Sequence, residues 1–291
     1  KTKTKRYFWK NKKNEKKKTK MAVVLMAGCT GGMGSILLDK INKGQKFQGR
    51  KIGVLIALDY FPNEEARLKF GEQLTTPKSL VIHWDASNFE STSAMARQVD
   101  AMTDYLDGVL ITTGMGFHGD LSQMSLEDSD RWLQRLMQVN AIGPSLLSQF
   151  CAKKLARSPM LQKNLAPTLL VMSSFSGLVG LPHRAAYCSS KFALNGYLET
   201  IFSEFPQLRM VLVCPTSVST AFRDNWKKTA AEQGLKVQQA AVNDTADLTP
   251  EQCVAAVWGK FNCDVSAAVP GFEYDILPKG KTSLAYWLIR L

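Results

Sequence analysis

The amino-acid pattern predicts an α/β fold, a doubly wound parallel sheet with helices on both faces. Short apolar runs recur along the chain and alternate with segments of i, i+3, i+4 apolar spacing. The runs are mostly β-branched or Leu-rich on both faces, as strands covered from two sides must be. Strand and helix alternate in order, which implies right-handed crossovers between parallel strands.

Seven runs read as strands: Ala22 to Ala27, Ile52 to Leu58, Ser79 to Trp84, Val109 to Thr113, Thr168 to Ser173, Met210 to Cys214 and Ala267 to Val269. Between them, Trp132, Leu133, Leu136 and Met137 form one helical stripe, and Val254, Val257, Trp258 and Phe261 another. Thr249, Pro250 and Gln252 supply an N-cap, a first-turn proline and a capping-box partner; Ser125 with Asp128 is a weaker version of the same signal.

With 291 residues, of which 45% are hydrophobic and 21% charged, the chain can bury a large core. The formal charge of +12 is concentrated at one end: residues 1–20 hold ten Lys, Arg6 and only Glu15, while the rest carries 26 basic and 24 acidic side chains. Residues 1–20 lack apolar periodicity and any apolar stretch of a secretory signal before Met21, so they read as a solvated, disordered leader. Residues 21–291 read as one domain. The leader is either passive or an electrostatic lure for nucleic acid or an anionic membrane; the near-neutral body shows no basic stripe and no nucleic-acid module.

The six cysteines show no paired spacing and the three histidines, 83, 118 and 183, no ligand spacing, which argues against a disulfide framework and a metal centre. No stretch approaches the length of a membrane span. A cytoplasmic location is expected. The apolar end, Leu284 to Leu291, leaves open a membrane surface, and its last three residues resemble a peroxisomal address only loosely.

After the first strand comes Gly28-Cys29-Thr30-Gly31-Gly32-Met33-Gly34, and Ile36, Leu37 and Ile41 then begin a helical stripe. Such a turn aims free backbone N–H groups and the positive helix end at one spot, which suits a pyrophosphate in a Rossmann-like fold. Gly28 permits the tight turn, Gly32 the approach of phosphate and Gly34 the packing of helix on strand. A second glycine run, Gly114 to Gly119, matches G-x-G-x-x-G literally but lies too far from the next helix, near Ser125, to present its N-terminus.

Asp59, ending the second strand, stands where an acid holds the adenosine ribose. Asp85, followed by Ala86, either borders the adenine or caps the segment after Asn88. In mid-chain a strand ends in Ser173-Ser174, Tyr187 follows Ser174 by thirteen residues, and Lys191 is four further on. A helix from about Ala185 to Phe205 puts Tyr187 and Lys191 on one face. Lys191 is the sole charge before Glu199 in an apolar helix, and a nearby ammonium favours phenolate, drawing Tyr187 toward a usable acid and base. Alone the pair is weak, since seven tyrosines yield about one such match by chance.

Order and spacing together make the body, from Met21 to about Gly271, resemble the short-chain dehydrogenase/reductase family. Its glycine turn matches Gly28, Gly32 and Gly34, and its serine, tyrosine and lysine match Ser174, Tyr187 and Lys191. Its helical asparagine matches Asn140, which by itself reads as a buried amide tying two backbones and by resemblance holds a water that relays protons to Lys191. The resemblance implies hydride transfer between a nicotinamide cofactor and a carbonyl or secondary alcohol. It also implies cofactor contacts from Thr30, Met33, Thr113, Gly114, Thr220, Tyr187 and Lys191, and assembly as a homodimer or homotetramer through the helices of Ser125 to Phe150 and Ala185 to Phe205.

The chain departs from the family pattern at Ala27-Gly28, at Pro215-Thr216 and at Ile111-Thr112-Thr113-Gly114, the last of which puts one hydrogen bond between strands in doubt. Asp59, with Gly31 in place of a basic residue before Gly32, favours NAD; NADP is the alternative, because Lys43, Lys46, Arg50 and Lys51 on the following connection could fold back over a phosphate. Residues 221–247 are expected to form a lid carrying Phe222, Trp226 and Leu235. With Met115, Phe117, Leu178 and Leu181 they suit a hydrophobic small-molecule substrate. An inactive dinucleotide-binding relative is the second reading, and a nucleic-acid-binding protein the third.

Overall fold

The computed structural model describes residues 21–216, 218, 248–262 and 271–277. The leader, Thr220, the expected lid, the run Ala267 to Val269 and the apolar end all lie outside the described residues.

The described strands are β1 (Ala22–Ala27), β2 (Ile52–Asp59), β3 (Lys78–His83), β4 (Gly108–Ile111), β5 (Thr168–Met172), β6 (Arg209–Pro215) and β7 (Gly271–Leu277). They form one sheet in the order β3-β2-β1-β4-β5-β6-β7, and every neighbouring pair is parallel. Six lie within two residues of the sequence expectation. The order reverses at β1 and β4, so the carboxyl ends of these two strands diverge into a crevice.

Helices α1 (Gly32–Asn42), α2 (Glu64–Glu72), α3 (Phe89–Met102), α4 (Leu126–Leu136), α5 (Gly143–Leu155), α6 (Ala185–Glu204) and α7 (Pro250–Phe261) connect the strands. Alternation along β1 explains the all-apolar runs. Val23, Leu25 and Ala27 join a core with Val99, Leu147, Leu194 and Leu198 of α3, α5 and α6, whereas Ala22, Val24 and Met26 join one with Leu37 and Ile41 of α1 and Val254, Val257, Trp258 and Phe261 of α7. Both faces of the strand are dry, so each position must be apolar.

The capping signals act as expected. Thr249 and Gln252 form a full capping box ahead of α7, and Ser125 Oγ accepts from Asp128 N at 3.0 Å. Asn88, not Asp85, caps α3, its side chain accepting from Ser91 N at 3.0 Å. The expected α4 stripe is only partly inward: Trp132 and Leu136 are buried, while Leu133 is 42% exposed.

The long helix expected from Ser125 to Phe150 is instead α4 and α5 joined by a π-helical turn, Met137–Ile142. The wider turn rephases the helix, so that Asn140 and Ala141 are buried although Ile142 beside them is 41% exposed.

The connection from α1 to β2 runs past the amino ends of the strands, where Lys51 O accepts from Ala22 N. Arg50 is anchored there on buried Asp107 at 3.2 Å, and Lys43 pairs with Asp39 at 2.7 Å. The crevice lies at the opposite end of the sheet, beyond reach of these side chains.

Candidate active site

The glycine turn packs as its residues require. Gly28 has φ +84°, in the left-handed region, where a Cβ would also lie 2.6 Å from Thr112 Oγ1. A Cβ on Gly34 would lie 1.8 Å from Gly28 O, which is the reason α1 can start directly against the end of β1. The first turn of α1 has no side-chain cap and no acidic residue. Its amides therefore remain available to an anion.

Thr112 resolves the departure at the end of β4. Its hydroxyl lies 3.0 Å from Ala27 O and 3.1 Å from Gly28 O, so it ties β4 to the glycine turn. A threonine thus makes the cross-strand hydrogen bond whose loss the sequence suggested.

β5 ends at Met172, and the two serines after it divide the work. Ser173 Oγ donates to Asn195 Oδ1 at 2.6 Å, and Asn195 Nδ2 donates to Gly177 O at 2.9 Å, locking the strand exit onto α6. Ser174 Oγ accepts from Ser176 N at 3.1 Å and hydrogen-bonds the Tyr187 phenol.

On α6, Tyr187 is 9% and Lys191 3% exposed. Lys191 Nζ donates to Met172 O at 3.2 Å and sits 6.0 Å from the centre of the Tyr187 ring. Burial pushes the phenol up to about 12, against opposing pulls from the Ser174 hydrogen bond and the Arg184 charge. Burial also draws Lys191 down to about 8. The lowering of Tyr187 by Lys191 expected from the sequence is therefore not what the chain's own groups produce: desolvation of the phenol dominates.

Asn140 is fully buried. Its Oδ1 accepts from Met115 N at 2.7 Å, and its Nδ2 donates to Met115 O at 2.8 Å and to Ser190 Oγ at 3.1 Å. The tie between two segments is thus present. A Cβ on Gly114 would lie 3.3 Å from Asn140 Oδ1 and 3.5 Å from Lys191 Nζ, so both groups border the same glycine.

A cleft of about 160 Å³ at the carboxyl ends of the strands joins these parts. Gly32, Met33 and Gly34 line it on one side and Ser174, Tyr187 and Lys191 on the other, with Thr113 and Gly114 between. A neighbouring recess of about 280 Å³ is lined by Asp59, Asp85, Ala86, Thr113, Gly114 and Arg135. Thr113 and Gly114 belong to both. Gly28 lies beneath the turn, Thr30 N donates to Asp59 Oδ2, and Thr113 Oγ1 is buried with no hydrogen-bond partner among the described residues.

Asp85 Oδ1 accepts from Ser87 N at 2.8 Å and Ser87 Oγ at 2.7 Å, and Arg135 donates to Ser87 Oγ at 3.0 Å. Sequence reasoning missed Thr112, Arg135 and Arg184. Only Arg184 left a signal, as an isolated cation three residues before Tyr187.

Among the described residues, no cluster of side chains could hold a metal ion, and no helix is long and apolar enough to cross a membrane. The five described cysteines are free and buried.

Comparison with known proteins agrees with this architecture. The chain is 33% identical over 148 residues to the uncharacterized oxidoreductase YciK of Escherichia coli, a match covering 50% of the chain and 55% of that protein. The chain thus spans about half the length of that relative. Among solved structures, a 4-hydroxyisoleucine dehydrogenase complexed with NADH superposes with a TM-score of 0.66 at 20% identity, covering 90% of this chain and 99% of that one. An alcohol dehydrogenase from the archaeon Thermococcus sibiricus complexed with 5-hydroxy-NADP superposes with a TM-score of 0.65 at 20% identity, covering 89% and 96%. The sequence model of the short chain dehydrogenases matches residues 22–231, most of the chain, and the chain belongs to that family.

Proposed function

We propose that this chain is a nicotinamide-dependent oxidoreductase that interconverts a carbonyl and a secondary alcohol on a hydrophobic small molecule. The observation that carries this is the meeting of Ser174, Tyr187 and Lys191 with the uncapped start of α1 across one cleft.

The residues fit a dinucleotide. The α1 amides offer donors to a pyrophosphate, and Asp59 borders a recess of about 280 Å³ that shares Thr113 and Gly114 with the cleft. Thr113 Oγ1 is an unspent polar group at that junction. When bound, the nicotinamide supplies the hydride for reduction or takes it in oxidation.

This chain's residues do the rest. In reduction, the carbonyl carbon gains the hydride and Tyr187 donates its proton to the carbonyl oxygen, giving the alcohol. Ser174 hydrogen-bonds the same oxygen and orients it. Lys191 would hold the nicotinamide ribose, and its charge compensates the phenolate left after the proton has moved. Asn140 keeps Met115 and Ser190 in register, and the remaining lone pair of its Oδ1 is available to a water on the path toward Lys191.

A turnover screen of aldehydes, ketones and secondary alcohols against both nicotinamide cofactors tests this reading; no turnover of any of them would overturn it. Asp59 would face the ribose with a carboxylate, which repels a 2′-phosphate, and Lys43 and Arg50 of the α1–β2 connection are paired at the far end of the sheet. Catalytic efficiency with NAD is therefore expected to exceed that with NADP by at least about tenfold, or about 1.4 kcal/mol. Asp59→Ser should narrow the gap, helped by Arg135 in the same recess; a parent chain that prefers NADP would refute the role of Asp59.

We also propose a homodimer or homotetramer. Ile142, Phe192 and Tyr197, in the helical segments between Leu126 and Glu204, are 41%, 40% and 39% exposed, more than side chains of that size favour in water. Light scattering is expected to show at least a dimer, and a fully active monomer at assay dilution would refute it.

A further inference from the structure

Asn195 is a buried polar residue that the proposed mechanism does not use. It stands one turn after Lys191 on α6, so that Tyr187, Lys191 and Asn195 follow one another four residues apart along one side of the helix. Leu194 and Leu198 next to it belong to an apolar core. An amide in such a place has lost its water and needs a partner at both of its ends.

Both ends are matched, and by the two sides of one short segment. Asn195 Oδ1 accepts from Ser173 Oγ at 2.6 Å, and Nδ2 donates to Gly177 O at 2.9 Å. A carbonyl can only accept, which fixes the orientation of the amide. Ser173 immediately precedes Ser174, and Gly177 N donates to Ser174 O at 2.9 Å. The backbone of Ser174 is therefore enclosed in a ring of hydrogen bonds that closes through Asn195.

The two sides of this ring have different anchors. On the strand side, Ser173 N donates to Val213 O at 2.8 Å, and the Ser173 hydroxyl also meets the Cys214 thiol, both on β6. On the far side, the bonds from Leu178 N and Val179 N to Phe175 O are internal to the turn, and it is the Asn195 amide that joins Gly177 O to α6. A Cβ on Gly177 would lie 2.8 Å from Asn195 Nδ2 and 3.0 Å from Lys191 Cβ, so the turn rests directly on the helix against both residues. Ser174 Oγ accepts from Ser176 N at 3.1 Å and hydrogen-bonds the Tyr187 phenol. With one of its positions taken by Ser176 N, where the rest of the hydroxyl points depends on how the turn sits on α6. A misplacement of about 1 Å in such a group can cost about a hundredfold in rate.

We propose that Asn195 is a positioning residue for Ser174: by gripping the chain on either side of the serine, it ties Ser174 to the helix that carries Tyr187 and Lys191 and so sets the geometry in which Ser174 and Tyr187 share the substrate oxygen. This rests on the oxidoreductase reading above.

The test is a double-mutant cycle on the full chain, with a ketone or secondary alcohol that the parent turns over. Asn195→Ala is expected to lower kcat by about ten- to a hundredfold, with KM for the nicotinamide within about twofold of the parent's. In a Ser174→Ala background the same substitution should change kcat by less than about twofold, because the group it positions is gone. A residue that merely holds the fold together would cost as much in either background. Near-parental kcat in Asn195→Ala, or an equal loss in both backgrounds, would overturn the assignment and leave the oxidoreductase reading intact. Crystal structures of the parent and Asn195→Ala give a readout that needs no turnover: Ser174 Oγ should leave the Tyr187 hydroxyl in the variant, and its staying in place would overturn the assignment. They decide alone if Ser174→Ala is too slow to measure, or if no carbonyl compound turns over, in which case the oxidoreductase reading also fails. Should Asn195→Ala not fold, Asn195→Leu combined with Ser173→Ala removes the two polar side chains together and takes its place in both experiments.

Discussion

Replacing Tyr187 with Phe is expected to lower turnover by about two orders of magnitude or more while leaving folding and dinucleotide affinity close to those of the parent. The ring stays in place among Phe117, Trp132 and Leu136, and only the hydroxyl that meets Ser174 is removed. Single-turnover rates with a saturating nicotinamide separate the chemical step from binding. Near-normal turnover in this variant would remove Tyr187 from the mechanism.

The pH dependence follows from the same group. With the phenol pushed up to about 12 by burial, Tyr187 is protonated throughout the neutral range, the state that the proposed reduction requires. Alcohol oxidation needs the phenolate, whose fraction grows about tenfold per pH unit below its pKa. Oxidation should therefore climb with pH across the range where reduction, as far as Tyr187 is concerned, stays level. A bound cofactor that draws the phenol down would show as a plateau in oxidation at lower pH.

The second large effect belongs to Gly34→Ala. The added Cβ would lie 1.8 Å from Gly28 O and 2.8 Å from Gly28 C, and both are backbone atoms that cannot rotate aside. Helix α1 must retreat from the end of β1, which breaks the packing of Leu37 and Ile41 on Val24 and Met26. A loss of about 3 kcal/mol of stability, together with dinucleotide affinity, is expected from urea unfolding and nicotinamide fluorescence. Gly31→Ala is the control, because a Cβ there meets nothing nearer than Gly28 O at 3.6 Å. Equal stability of the two variants would show that α1 does not depend on this contact.

Much of the site was legible because its signals are local. Gly28, Gly32 and Gly34 lie within one strand-to-helix turn, and Tyr187 and Lys191 lie within one turn of α6, a pair that is weak alone but is singled out by its place thirteen residues after Ser174 at a strand end. Asp59 was placed by the end of an apolar run. Thr112 was illegible because its partners, Ala27 O and Gly28 O, are more than eighty residues away, and a threonine after a strand carries no sign of which carbonyl it will meet. The break between α4 and α5 was hidden for a different reason: Met137 to Ile142 is ordinary helical sequence, and the partners that Asn140 meets from its wider turn, Met115 and Ser190, lie in distant segments.

The sequence by itself determined the layered α/β architecture, since strands that are apolar on both faces, as β1 is throughout, admit only a sheet covered on both sides. It also singled out the glycine turn and the Ser174, Tyr187 and Lys191 set, whose order and spacing are short-range and which the fold brings to one cleft. Tertiary structure alone decided what depends on distance between segments and on exclusion of water. It held Arg50 at the far end of the sheet from the crevice and brought Arg184 to the cleft. It also set the acidity of Tyr187 by burial rather than by its lysine neighbour, because the cost of desolvating a charge is a property of the folded surroundings that no local pattern of residues encodes.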